Sequence, residues 1–121
     1  MRTISEVKVK LGEIAHGRSG DKGNMVNIGL ICHEKQWLPL LESIVTPELL
    51  SHWFEGWSSG PFEIYSVPGI GAVNCLIHKV LQGGGTVARR LDAQGKALGQ
   101  VVLDAEVVVD VKLAKEVGFI A

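Results

Sequence analysis

Hydrophobic and polar positions alternate from the start of the chain. In SEVKVKLGEIA, residues 5–15, Val7, Val9 and Leu11 fall on one side and Glu6, Lys8 and Lys10 on the other. That two-residue period predicts a half-buried strand. MVNIGLICH, residues 25–33, is apolar almost throughout, with Asn27 the exception, and predicts a central strand. Between the two lies AHGRSGDKGN, residues 15–24, read as a polar, glycine-rich loop.

The next section predicts helices. Pro39 in EKQWLPLLESIV is tolerated only in a first turn, which places the helix start near Trp37. TPELLSHWFEGW starts a second helix. Thr46 serves as N-cap, Pro47 suits the first helical position, and Glu48 complements the positive helix end. Leu49, Leu50, Trp53, Phe54 and Trp57 then recur at helical spacing. Most of that face belongs to the core, with a partner-facing role for the tryptophans as the alternative. SSGP (58–61) predicts a turn and FEIYSVP a short strand. In GIGAVNCLIHKVLQGGG, Ile70, Val73, Leu76, Ile77, Val80 and Leu81 fit the helical period, so 70–81 is expected to be helical, with the three glycines as its stop. TVARRLD predicts a strand and DAQGK a tight turn. ALGQVVLDAEVVVD predicts a long last strand with Ala97, Gly99, Val101, Leu103, Ala105, Val107 and Val109 on one face. The apolar tail VKLAKEVGFIA is expected to dock on its own sheet or on a neighbour.

Strands that outnumber the helices set between them predict a two-layer α+β sandwich of ferredoxin-like kind: a mostly antiparallel sheet with helices on one face. Its 121 residues fit one domain. A net charge of −1 with dispersed Lys and Arg gives no basic face for nucleic acid. No apolar run approaches the about 20 residues of a membrane span, and MRTISEVKVK has no signal-peptide core, so the expected location is cytoplasmic. Cys32 and Cys75 form no C-x-x-C pair and read as buried thiols. His16, His33, His52 and His78 make no zinc-type spacing, so no metal site is expected. Nothing points to flavin or nicotinamide.

The chemistry concentrates in residues 15–24. Lys22 is followed by Gly23 and Asn24, which excludes a phosphate-binding Walker loop. GRSGD lacks the spacing of a nucleophile elbow. Gly17, Gly20 and Gly23 would let backbone N–H groups converge into an anion-binding nest. Arg18 adds a planar fork for carboxylate or phosphate, and Lys22 a point charge. Asp21 offers a general base or an orienting group for His16, and Ser19 and Asn24 offer further polar contacts. The plainer alternative is a hairpin loop with Asp21 capping the turn and the cations solvated. Asn74 and His78, four apart, would share a helical face. His78 is either a hydrogen-bonded core residue or an acid–base group. Gly83 and Gly84 either end the helix or bring amides to a ligand. Arg89 and Arg90 sit on opposite faces of a strand, so at most one can point into the same site.

LGEIAHGRSGDKGNMVNIGLI, GAVNCLIHKVLQGGG and LDAQGKALGQVVL resemble the small ferredoxin-fold domain of the acyclic terpene utilisation (AtuA-like) family, over about residues 10 to 107. The resemblance implies a part in the breakdown of branched or acyclic isoprenoid acids handled as coenzyme A thioesters. By position, His16, Arg18, Ser19, Asp21, Lys22 and Asn24 match its glycine-rich motif, and Asn74, His78 and Gly83 to Gly85 match its second block. In larger members the domain is similar to a C-terminal module following a much larger domain, so this chain reads as a free-standing version. The expected function is an accessory small subunit of an acyl-thioester or carboxylate-processing enzyme, with Asp21, His78 and His16 as proton-moving groups. Arg18, Ser19, Gly20, Lys22, Asn24, Asn74, Gly83 and Gly84 would form the ligand site. Expected partners are further copies of the chain, a separate large AtuA-like subunit, and a small carboxylate or coenzyme A thioester. A self-contained small lyase, hydratase or isomerase and a non-catalytic oligomeric scaffold are the alternatives. An apolar tail, clustered tryptophans and a long last strand favour an oligomer.

Overall fold

The run MVNIGLIC forms the spine of the main sheet. In the computed structural model, which describes residues 6–22, 25–56, 58–80 and 102–121, it is strand β3 (Met25–Cys32). β2 (Ala15–Lys22) pairs along one side of β3 and β5 (Ala72–Ile77) along the other, and β4 (Phe62–Val67) lies outside β5. Every pairing is antiparallel. β1 (Glu6–Lys10) and β6 (Glu106–Asp110) form a separate antiparallel ribbon. Val7 faces Val109 and Val9 faces Val107 across it. Val107 and Val109 are buried, but in β1 only Val9 is half-buried and Val7 is exposed, so the expected alternation holds in β6 and only partly in β1.

Two helices join β3 to β4. Leu38–Ile44 forms α1, with Pro39 in its first turn, and Pro47–Trp53 forms α2. The Thr46 hydroxyl accepts the Leu49 N–H at 3.2 Å, the expected N-cap. β3 and β4 run parallel with β5 inserted antiparallel between them, the split β-α-β arrangement of ferredoxin-like folds. Leu40, Leu41, Leu50 and Phe54 pack into one core cluster with Ile28, Leu30, Val73, Cys75 and Ile77. Helices thus cover one face of the four-stranded sheet. The opposite face is exposed or half-buried across its described residues, apart from the small Ala72. A last helix, α3 (Val111–Glu116), buries Ala114. Beyond it Phe119 meets Trp37 edge-on at 5.0 Å, so the apolar tail docks on its own domain.

Three expectations need correction. Residues 15–22 are not a loop but the edge strand β2, eight residues in register with β3. The strand tolerates glycines and charges because its contribution is backbone pairing. Ala15 is buried and Gly17 and Ser19 are half-buried, while His16 and Arg18 alternate into solvent. Residues 72–77 are strand β5, not helix. Val73 and Ile77 are four apart, which is about one helical turn and also two strand repeats. Cys75 decides between them, buried midway in the two-residue period. In the last segment, the strand spans Glu106–Asp110, preceded by a 3-10 turn at Val102–Asp104, while Ala97, Gly99 and Val101 lie outside the described residues. The readings for Trp57, for the QGGG stop, and for the strand and turn at 86–96 lie outside the described residues.

Burial raises the thiol pKa of Cys32 to about 11 and that of Cys75 to about 12. At Cys32 a backbone hydrogen bond opposes the desolvation and Glu42 adds to it. Both cysteines should therefore resist iodoacetamide at pH 8 in the folded protein and react at the rate of free thiols in urea. Native-state modification of Cys75 at the free-thiol rate would contradict this packing.

Candidate functional site

The open face of the four-stranded sheet gathers most of the predicted residues that the structure describes. One row across it runs Arg18, Gly29, Asn74, Tyr65, and the adjacent row runs Gly20, Asn27, Leu76, Glu63. Successive strand residues point to opposite faces. His16, Arg18 and Gly20 therefore share this face with Asn27, Asn74 and, just past the end of β5, His78. Ser19 belongs to the helix-covered face. Asp21 and Lys22 lie in β2 in register with Val26 and Met25. Asn24, Gly83 and Gly84 lie outside the described residues.

A glycine at the middle of a central strand leaves a gap in the side-chain layer. A Cβ placed on Gly29 would meet nothing closer than the Arg18 carbonyl at 4.0 Å. Arg18 and Asn74 are its register neighbours, and Asn27 and Ile31 border it along β3. Asn27 donates from its amide to the Asn74 side-chain oxygen at 3.1 Å. Over Gly20 a Cβ would come within 3.1 Å of Asn27 Oδ1, so that glycine makes room for the asparagine. The result is a recess one side chain wide, with a guanidinium-bearing residue on one flank and paired amides on the other. An Arg fork beside amide dipoles suits a carboxylate or a thioester carbonyl.

A second cluster lies further along the same face. His78 Nε2 is 2.7 Å from Glu63 Oε2, and the other Glu63 oxygen accepts the Tyr65 hydroxyl at 3.1 Å. The His78 N–H donates to the Pro61 carbonyl at 3.2 Å, and its carbonyl accepts from the Ser58 hydroxyl. Lys79 then takes φ +55°, a left-handed conformation uncommon for lysine, and turns the chain away. The bonds from His78 and Tyr65 hold the Glu63 carboxyl below its usual pKa of 4.5. The same carboxylate raises the Tyr65 phenol. A depressed carboxyl pKa gives stability that is complete above pH 4.5 and is lost as pH falls through the folded value. In a carbon-detected NMR titration, Glu63 should titrate below the ordinary range, and His78→Ala should move its midpoint upward. An unmoved midpoint would mean that the contact is absent in solution.

The backbone nest expected from Gly17, Gly20 and Gly23 does not form at Gly17 and Gly20, which lie in β2, and Gly23 lies outside the described residues. N–H groups in a strand point alternately to its two edges rather than converging. The positive-φ glycines among the described residues are Gly56, Gly60, Gly71 and Gly118. His16 sits beside His33, ring centroids 5.6 Å apart, and His33 Nε2 is 2.8 Å from the Gly12 carbonyl. Asn74 and His78 do share a face, Asn74 within β5 and His78 just past its end. Sequence reading missed Asn27 as a functional residue, although it was the one polar residue in an apolar strand. It also missed Glu63, Tyr65 and Gly29, which acquire meaning only through cross-strand register.

No helix among the described residues is long and apolar enough to cross a membrane. A search of curated proteins and one of solved structures both return no match. A family model described as the AtuA ferredoxin-like domain matches residues 9–108, a span that includes the whole four-stranded sheet and the two helices beneath it. On that match the chain belongs to the AtuA ferredoxin-like domain family.

Proposed function

We propose that this chain is an accessory small subunit of an enzyme that processes carboxylates or acyl thioesters in the breakdown of acyclic terpenoids or branched acids. Its open sheet face receives the anionic end of the substrate. The observation that carries this reading is the recess at Gly29, bordered by Arg18 and by the Asn27–Asn74 amide pair. Family membership supports the substrate class. A large AtuA-like subunit and further copies of this chain are the proposed partners.

Titration calorimetry with 3-methylglutaryl-coenzyme A, a branched acyl thioester with a free carboxylate, tests the reading. Removing a charged hydrogen bond costs about 1.5–3 kcal/mol, so Arg18→Ala should weaken binding by roughly 10- to 100-fold. Equal affinity in the wild type and the variant would refute the assignment.

A second reading, a non-catalytic oligomeric scaffold, draws on the exposed apolar side chains of Tyr65 and Val67, 51% and 42% accessible on the same face. It predicts that Val67→Lys dissociates an oligomer in light scattering while the thioester fails to bind the wild-type protein.

A further inference from the structure

We propose that Glu63 and His78 form a general-base dyad on the open sheet face, with Nδ1 of His78 removing the proton alpha to the carbonyl of a bound acyl thioester. This rests on the reading of the open face as a carboxylate and thioester site, and adds to it the reacting group and the shape of the substrate.

Geometry assigns the roles. An ionised carboxylate only accepts hydrogen bonds, so at 2.7 Å from Glu63 Oε2 the Nε2 of His78 carries the hydrogen. The remaining lone pair is then on Nδ1. Glu63 is itself fixed, because Tyr65 donates to its second oxygen. His78 is anchored at both backbone groups, through Pro61 and Ser58, and Ser58 Oγ also accepts the Gly60 N–H at 3.0 Å. A base oriented by a carboxylate at its far nitrogen is the arrangement used in Ser-His-Asp chemistry. Here His78 is the catalytic residue and Glu63 a positioning residue.

The spacing across the sheet describes the ligand. Arg18 lies opposite Gly29 and, one strand further, Asn74. His78 is four residues beyond Asn74 in sequence. Two strand spacings and four residue steps separate the Arg18 and His78 backbones by about 16 Å, a gap that the two side chains shorten but do not close. One small group cannot touch both. The substrate class is therefore an extended molecule with a carboxylate at the Arg18 end and a thioester whose alpha carbon lies at His78. In the step, the alpha C–H bond breaks and its proton goes to Nδ1. The bonding pair moves into the carbonyl to give an enolate, and the imidazolium is balanced by the Glu63 carboxylate. Return of the proton, or of a deuteron from solvent, regenerates both partners.

The test follows deuterium entering sebacyl-coenzyme A, a dicarboxylic thioester long enough to place its carboxylate at Arg18 and its alpha carbon at His78, in D2O by mass spectrometry, with binding measured in parallel. The wild-type chain should exchange the alpha position and His78→Ala should not. Glu63→Gln should bind the thioester normally but exchange it about 100-fold more slowly or worse, with a displaced pH profile, and Glu63→Asp should restore part of the rate. Arg18→Ala should raise KM, in line with its weakened binding. Nitrogen NMR of the free protein should show the neutral His78 ring carrying its proton on Nε2. Binding without exchange, wild-type exchange in Glu63→Gln, or a proton on Nδ1 of free neutral His78 would each overturn the dyad. Failure of the wild type to bind the thioester would overturn the reading of the open face and, with it, this substrate assignment.

Discussion

Replacing Gly29 with valine is expected to abolish carboxylate and thioester binding, by about 100-fold or more if one charged hydrogen bond and its buried contact are both lost, while leaving the melting temperature unchanged or raised. The two halves of this expectation have separate causes. A Cβ at Gly29 enters open space, its nearest neighbour being a carbonyl at 4.0 Å. The residue shows no positive φ, so a β-branched side chain suits the strand. That same side chain occupies the gap flanked by Arg18 and Asn74. Binding and stability therefore move independently, which a core substitution would not allow. Calorimetry and a thermal melt on one protein preparation check both. Binding equal to wild type in a stable Gly29→Val protein would show that the recess is not the ligand site.

The second large effect concerns stability. Gly71→Ala should destabilise the fold by about 3 kcal/mol, combining about 1–2 kcal/mol for a left-handed backbone with a clash that cannot relax freely. Gly71 has φ +64°, and a Cβ there would lie 2.9 Å from the Lys35 Cα. Lys35 opens the 3-10 turn that leads into α1, so backbone rather than a mobile side-chain tip would have to move. The Gly71 carbonyl also accepts the Cys32 N–H at 2.9 Å, tying the end of β3 to the start of β5. A melting temperature lower by on the order of 10 °C is expected. A fall under about 2 °C would show that the turn carries no such constraint.

The helices and the spine were legible because their signals are local. Pro39, Thr46 and Pro47 specify where α1 and α2 begin, and the apolar run around Ile28 and Leu30 specifies a central strand. β2 and β5 were not legible, for different reasons. β2 has almost no hydrophobic alternation, since one of its inward positions is Gly17 and its stability comes from pairing with β3. β5 carries apolar residues four apart, a spacing common to helix and strand. Site residues followed the same division. Arg18, Asn74 and His78 stood out by chemical type. Glu63, Tyr65, Asn27 and Gly29 depend on which strands become neighbours, and the β4–β5 hairpin meets β3 only after the two-helix crossover. The family resemblance survived both errors, because its motifs are read as residues and not as elements.

Backbone amide mapping tests the central claim most directly. Nitrogen-15-labelled protein titrated with 3-methylglutaryl-coenzyme A should show its largest shifts at Arg18, Gly29 and Asn74, with the core-facing residues of α1 and α2 unmoved. Shifts confined to the helical side or to the β1–β6 ribbon, with the Gly29 amide fixed throughout, would contradict it.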